Sequence, residues 1–568
     1  MFQNRVKNIL RRIKEKIDVK TSNQNENMKI PEKIPVEIIR EVIDVKGNSI
    51  KVANDALNNK FYFYSNMDVI CFDKGIDWNY NHSNSPNTYL LYLHSLRMII
   101  FLCNAYVESE DKEYLYKAHE ILTDWKKFES KRKNKQNKYL WYDHSVAART
   151  ITLIYFYSVA DGIIKINKTD LVNLLYRHGQ FLSEPNHYIE NNHGIMMDRA
   201  LLVLSIFLSE SFDSKKWFDL AIERLNSALV RDFSKKYVHL ENSPSYHNMT
   251  RRIYLGVKKI LNEFGIEGNG GFQIELAGMN DYLGYIIKPD NFFPLIGDTT
   301  KGKLRGIKKK KGFFIDIEAG ITVMQKGDFW LSFIAGYKKV THKHKDDLSF
   351  TLFKGEDIFV DSGPYNYQKN DPIRSYFTSS EAHSTIHIPN KSYTLSNDNK
   401  EQEKIRIRRY RSTDEYDFVS GINKKYEGIS LIRNIYYLKD DENVILIDRV
   451  LSNEDITVEQ IFNLAPNVEV RKVDNNYELK TNKNSLIIKQ FNKYDIVKLI
   501  NGDKNIPIAV ISEKLGSLIE TQQIRYQFSG KSMVFNTLIQ LNKIDCTVSI
   551  RGNRAYYQTN DKELYLPL

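Results

Sequence analysis

His342-x-His344-x-Asp346, then Val360-Asp361-Ser362-Gly363, then Ala382-His383-Ser384 are the residues of this chain best suited to chemistry. Imidazoles and a carboxylate are ligands for divalent metals. The same groups serve as general acids and bases. The surrounding stretch reads as β-structure, and residues i and i+2 of a strand share a face. His342 and His344 are therefore expected to project together. Three further clusters stand out: Asn191-Asn192-His193-Gly194, Glu241-Asn242-Ser243-Pro244-Ser245-Tyr246-His247 and Phe293-Pro294-Leu295-Ile296-Gly297-Asp298. Each also reads as ordinary structure. Asn is a preferred helix N-cap, Ser-Pro is a common helix start, and Pro-x-x-Gly-Asp is a turn.

Two kinds of element must position these groups. From about residue 85 to 290 the chain carries long amphipathic and apolar runs: TYLLYLHSLRMIIFLCNAYV, WYDHSVAARTITLIYFYSVADGII, GIMMDRALLVLSIFLSES and WFDLAIERLNSALVRDFS. Short polar breaks separate them, which predicts sequential helical hairpins. Near residue 305 the character changes. FWLSFIAGY, LSFTLFKGEDIFVDSG and LIRNIYYLKDDENVILIDRV alternate apolar runs with tight turns, which predicts an antiparallel sandwich. The expected division is a basic N-terminal helix and linker (1–35), a helical domain (36–304) and a β domain (305–568).

The composition narrows the function. Lys and Arg exceed Asp and Glu by 82 to 70, a net charge of +12 that favours an acidic partner. No nucleic-acid-binding signature accompanies it, so nucleic acid is not expected. The three cysteines form no CxxC pair, which argues against a disulfide framework or a thiolate zinc site. Residues 1–20 are basic, with Phe2, Val6, Ile9, Ile13 and Ile17 at helical spacing. They suit a docking helix or peripheral membrane contact, and they lack the apolar core of a signal peptide. The expected location is cytoplasmic. The Lys, Asn, Ile and Tyr content suggests a bacterial source with an AT-rich genome.

Taken in order, these segments resemble the heparinase II/III-like family of polysaccharide lyases. THKHKDDLSFTLFKGEDIFVDSGPYNY and RSYFTSSEAHSTIHI match its HxHxD, D-S-G and A-H-[NS]-T elements. IDWN at 76–79 and the NNH, S-x-x-Y-H and P-x-x-G-D segments agree in order, and Tyr426, Arg433 and Pro466 agree more weakly. The resemblance covers roughly residues 75–560. It implies an incomplete (α/α) toroid followed by an antiparallel β-sandwich, with a cleft between them. It also implies β-elimination at a uronic acid of an acidic glycan.

Laid on this sequence, the resemblance implies Tyr246 as Brønsted catalyst, Asn192 and His193 as neutralisers of the substrate carboxylate, and His342 as a further neutraliser or second base. His344, Asp361 and His383 would ligate a zinc ion, with Asp346 orienting His344 or capping its turn. His247, Arg251 and Arg252 lie near Tyr246 in sequence and could lower its pKa. Arg149, Asn191, His247, Tyr365 and Tyr367 are candidates for substrate binding, and Trp141, Tyr142 and His144 for lining the same cleft. Asp298 reads as structural. Lys343 and Lys345 are expected to point to solvent. Two other classes remain: a non-catalytic acidic-glycan-binding or surface-polysaccharide assembly protein, and a zinc hydrolase.

Overall fold

The computed structural model describes residues 34–43, 49–63, 67–83, 85–131, 137–266, 276–368, 370–542, 544–552 and 554–568. The basic segment 1–20 and nearly all of the expected linker lie outside them. The chain divides into two compact units, Met1–Arg231 with Arg252–Ile274, and Asp232–Arg251 with Glu275–Leu568. The fold is a helical toroid of the incomplete (α/α) type followed by an antiparallel β-sandwich.

The first unit is built from α1 (Val36–Val42), α2 (Ser49–Leu57), α3 (Pro86–His94), α4 (Arg97–Ser109), α5 (Glu113–Ser130), α6 (Asp143–Ala160), α7 (Lys168–Ser183), α8 (Asn192–Phe207) and α9 (Ser214–Asp232). Helix α6 is buried on nearly every face, because α3, α4, α7 and α8 all pack on it. That is why its sequence shows no polar stripe. The run predicted as one helix at 88–107 is two. Leu96 adopts φ +57° between α3 and α4, a left-handed conformation that ends one helix and re-aims the next. Asn167 and Asn191 cap α7 and α8 by accepting backbone N–H groups. Among the described residues no single helix is long and apolar enough to cross a membrane.

Helix α10 (Pro244–Glu263) opens on a proline, whose missing N–H costs nothing in a first turn. Helix α11 (Leu276–Ile286) belongs to the second unit. There, β1 (Gly312–Asp316), β2 (Ile321–Lys326), β3 (Phe329–Ile334), β4 (Phe350–Lys354) and β5 (Asp357–Phe359) form a five-stranded antiparallel meander. Strand alternation buries both of its faces. Val323, Trp330 and Ile334 pack with Tyr282, Leu283 and Ile286 of α11. Phe329, Leu331 and Phe333 pack into the large sheet.

The large sheet contains β6 (Ile386–His387), β7 (Ile405–Ser412), β8 (Tyr416–Asn423), β9 (Ile429–Leu438), β10 (Asn443–Asn463), β11 (Glu469–Val473), β12 (Asn476–Lys480), β13 (Ser485–Gln490), β14 (Ile496–Asn501) and β15 (Gln522–Gln540). Its main path runs β11-β12-β13-β15-β10-β9-β8-β7, which leaves β7 as an edge strand. A three-stranded sheet of β16 (Cys546–Arg551), β17 (Arg554–Thr559) and β18 (Glu563–Pro567) covers part of its far face.

The large sheet also fixes the loops that carry the motifs. Buried Arg433 on β9 forms a two-bond fork with Asp448 at 2.8 and 2.7 Å. Its other nitrogen donates to the carbonyls of Leu348 and Ser384. Asn463 donates to Val360 O at 2.8 Å. One rigid sheet therefore holds the three segments that carry His344, Asp361 and His383.

Candidate functional site

Tyr246 lies in the first turn of α10, within the same compact unit as His342. Its ring stacks on the His342 imidazole with centroids 3.6 Å apart and planes 23° from parallel. Its hydroxyl is 2.9 Å from the hydroxyl of Tyr367. His342 Nδ1 donates to Asp298 Oδ2 at 3.0 Å, and His342 Nε2 is 3.8 Å from Glu241 Oε2. Asp298 Oδ1 also accepts from His344 Nε2 at 3.0 Å. Arg374, on α12 (Pro372–Phe377), clamps both carboxylate oxygens. Burial alone would raise the Asp298 carboxyl, but hydrogen bonds from His342 and His344, with the Arg374 charge, hold it well below the usual carboxylate range. The sequence gives Asp298 a structural role, whereas it is the acceptor that orients both histidines of the HxH pair.

The loops meet through Gly297. Its φ is +54°, and a Cβ there would sit 2.6 Å from Asn242 O and 2.7 Å from His342 O. Only glycine permits that conformation and that approach together. Ser243 and Thr299 close the same junction through a 2.7 Å hydroxyl contact. Asn242 donates to the carbonyls of Lys339 and Thr341.

His342 is not on a strand. Residues 341–349 form turns and loop between β3 and β4, and His342 itself has φ +58°, which no β ladder accommodates. Both histidines nevertheless reach one carboxylate, so their shared direction comes from Asp298 rather than from strand pleating. Lys343, expected in solvent, is buried between Asp346 and Asp347. Burial would lower its pKa, but the two carboxylates outweigh it and raise it. Asp346 therefore pairs with Lys343 and does not orient His344. Lys345 donates to Ser392 Oγ at 2.6 Å.

His344, Asp361 and His383 lie close together and are buried. The two rings are 5.4 Å apart. His383 Nδ1 is 2.8 Å from Asp361 Oδ1, and its Nε2 is 3.2 Å from the carbonyl of Phe377. One imidazole thus faces an acceptor at each nitrogen. Burial lowers its pKa, and the Asp361 charge and hydrogen bond overcome that and raise it. His344 Nδ1 has Ser362 Oγ at 3.4 Å. Among the described residues no set of three His, Cys, Asp or Glu side chains is already drawn together tightly enough to hold a metal ion.

A second cluster belongs to the helical unit. His193, in the first turn of α8, points Nδ1 at Asp143 Oδ2, 3.2 Å away. Its ring is 5.1 Å from that of His144 and 6.1 Å from that of Tyr142. Asp143 is buried, whereas a quarter of the His193 side chain is exposed. Desolvation, with the neighbouring His193 imidazole, lowers His144 to about 3 and keeps it neutral. Asn192 is buried. Asn191 is the cap of α8 and accepts from His193 N at 2.8 Å, so its side-chain oxygen serves the fold rather than a substrate.

Two more of the expected substrate contacts are structural. Arg149 is fully buried. Its guanidinium donates to His94 O, Leu140 O and His178 Nε2, and lies 4.3 Å from the Trp125 ring centroid. Burial pushes its pKa down to about 9. His247 is also buried, accepting from His239 N and donating to Met279 O. Burial lowers its pKa to about 3, so it supplies no charge to Tyr246. Arg251 donates to Asn280 and Asn248. Tyr365 stacks on Phe377 at 5.5 Å. Tyr367 is nearly half exposed and touches Tyr246 directly. Arg374, which opens the RSYF segment, carries no sign of its role in the sequence. Nothing local marks an arginine that pairs with a carboxylate 76 residues away.

A family model described as Heparinase II/III N-terminus matches residues 5–317. One described as heparinase II/III-like, C-terminal, matches residues 317–549. A heparin-sulfate lyase of Bacteroides thetaiotaomicron is 22% identical over 489 residues, which are 74% of this chain and 68% of that protein. The solved structure of heparinase III superposes with a TM-score of 0.80 at 16% identity, covering 96% of this chain and 94% of the other. Heparan sulfate lyase HepC from Pedobacter heparinus gives a TM-score of 0.65 at 17% identity, covering 93% and 90%.

Proposed function

The chain belongs to the heparinase II/III family, and on that premise we propose that it is a polysaccharide lyase that cleaves a uronic-acid-containing glycosaminoglycan by β-elimination. The observation that carries this reading is the Tyr246 ring stacked on His342, with Tyr367 and Asp298 holding the two groups.

Breaking the C4–O bond requires removal of the C5 proton beside a carboxylate that is already charged. Donors that neutralise this carboxylate stabilise the developing enolate. Asn192 and His193 take that role by their order in the family pattern, and Asp143 fixes the His193 ring. Asp298 takes the Nδ1–H of His342, which leaves Nε2 as the nitrogen that transfers a proton. Tyr246 and His342 are the acid–base pair, and the epimer cleaved decides which of them receives the C5 proton. Tyr246 returns a proton to the departing O4. A phenol has an unperturbed pKa of about 10, so the neighbouring imidazole and the second phenol matter to its use as a base.

Zinc is part of this reading as a support of the site wall. His344, Asp361 and His383 would hold it. The far nitrogens of both rings are already occupied by Asp298 and the Phe377 carbonyl, the kind of outer partner that metal-bound histidines keep. The ion would supply fixed positive charge and rigidity.

The test is ultraviolet absorbance from the C4–C5 double bond conjugated to the carboxylate. Tyr246→Phe is expected to lower turnover by roughly 10²-fold or more, with an unchanged circular dichroism spectrum. A Tyr246→Phe protein with near-normal rates removes Tyr246 from the mechanism. Tight glycan binding with no absorbance from any acidic glycan makes the protein a binding module instead.

A further inference from the structure

The sequence IRIRRYRS forms β7, an edge strand with four arginines in eight residues. Its register sorts them. Arg406 lies opposite Ile422, Arg409 opposite Ser420 and Arg411 opposite Phe418, all on one face, and Arg408 sits at the irregularity between Ile407 and Arg409. The Arg406 row continues through Ile422 and Ile432 to Arg449 on β10. The three-stranded sheet covers this face over Phe418, Tyr436 and Ile445, and its core does not include the Arg406–Arg449 row.

The four strand arginines are exposed. Among the described residues none of them is ion-paired, although nearby Lys404 and Lys425 share Glu401. Desolvation, and the like charges of Arg409, Arg406 and Arg449, lower Arg408, as expected of cations crowded without a counter-ion. Three polar atoms of the same rows are buried with no hydrogen-bond partner: Ser420 Oγ, Asn434 Oδ1 and Arg449 Nε. In the Tyr246 cluster, by contrast, Arg374 is matched by Asp298.

We propose that this arginine-bearing edge of the large sheet is a second, non-catalytic docking site for a sulfated polysaccharide. Arginine rather than lysine points to an oxyanion ligand, because the planar guanidinium binds such groups through paired N–H donors, and the sulfate groups of a sulfated chain are oxyanions that an unsulfated one lacks. An edge strand that presents such forks along its length suits an extended polyanion. The inference rests on the lyase reading for its biological sense. The strand holds long chains and thereby raises the local concentration of cleavable bonds.

The experiment compares the native protein with the triple variant Arg406→Gln, Arg408→Gln, Arg409→Gln. A control, Lys112→Gln, Lys216→Gln, Lys258→Gln, removes the same charge from exposed sites of the first unit. Binding is read by the salt that elutes each protein from immobilised heparan sulfate and from unsulfated hyaluronan. Turnover is read on long heparan sulfate chains and on a tetrasaccharide. The triple variant is expected to elute from heparan sulfate at a salt concentration lower by about a third, with KM for long chains raised about fivefold and tetrasaccharide cleavage unchanged. The control changes neither, and hyaluronan is held weakly by all three proteins. Unchanged heparan sulfate elution of the triple variant overturns the proposal, as does an equal loss in the control. Self-association of the triple variant with undiminished glycan binding also overturns it, leaving the arginines only as guards of an open sheet edge. Tighter arginine-dependent binding to duplex DNA than to heparan sulfate overturns the glycan assignment. If the native protein yields no unsaturated product, the lyase reading fails by itself, and the elution arm still reads the strand.

Discussion

On the proposed mechanism, the chemistry of the second unit comes down to two phenols, one imidazole and the carboxylate behind it. Tyr367 is expected from sequence to contact substrate, and its hydroxyl sits 2.9 Å from that of Tyr246. A hydroxyl that donates to Tyr246 stabilises its phenolate, and removing it withdraws one hydrogen bond to a charged group, worth roughly 1.5–3 kcal/mol. Tyr367→Phe is therefore expected to lower kcat by about tenfold, well short of the loss in Tyr246→Phe. With Tyr246 as the base, it should also move the acid-side limb of the pH–rate profile upward, because an unassisted phenol ionises later. A profile superimposable on the native one would reduce Tyr367 to a wall of the site. Arg149 teaches the opposite lesson. Its sequence setting, between aromatic residues on an apolar helix, suits a ligand clamp as well as a buried strut. Only the carbonyls of His94 and Leu140 and the Trp125 ring decide for the strut.

At the scale of elements, most of what periodicity can report was legible. Helical runs, the change near residue 305 and the hairpins at Lys354–Asp357 and Lys439–Asn443 all follow from patterning. What failed was the assignment of the HxH segment to a strand. Alternation predicts side-chain direction only where φ stays negative, and His342 and Leu348 both have positive φ. The Lys343 error follows from the same assumption. The hub at Asp298 was not legible, because its partners are 44, 46 and 76 residues distant. On the zinc proposal, loops anchored this way would respond to the ion. His344, Asp361 and His383 sit on three segments tied to the large sheet through Arg433 and Asn463, so an ion there cross-links them. Zinc is expected to raise the melting temperature of the protein, by roughly 2–4 °C for each kcal/mol of binding linkage in a unit of this size. Metal analysis should give about one zinc per chain, with the shift and the metal both lost in His383→Ala. A His383→Ala protein that retains one zinc and the full shift would place the ion elsewhere.

The whole molecule buries neutral histidines in both units, and this gives it a direction of pH sensitivity. His94 and His178 lie inside the helical unit and His239 and His247 inside the second, all almost without solvent exposure. Burial lowers His94, His239 and His247 to about 3 and His178 well below its ordinary value. In the unfolded chain each titrates near 6.5. Below that pH the unfolded state binds protons that the folded state refuses. The stability contributed by each histidine is thus present above about pH 6.5 and is lost as pH falls toward the folded value, by up to about 1.4 kcal/mol per pH unit per group. Asp198 has the opposite sign. Burial raises it to about 8, so its contribution is fully present below its ordinary pKa and is lost as pH rises toward 8. Asp347 is raised by burial too, but the four histidines outweigh these two carboxyls, and helical circular dichroism is expected to disappear cooperatively on acidification below about pH 5.5. His247→Gln isolates one of the groups, because an amide can accept from His239 N and donate to Met279 O without titrating. It should lower the midpoint of acid unfolding by a few tenths of a pH unit, about one group's share, while stability at pH 7.5 falls no more than a modest repacking would cost. A midpoint that stays where the native protein has it would mean that the buried imidazoles do not set the acid limit of this fold.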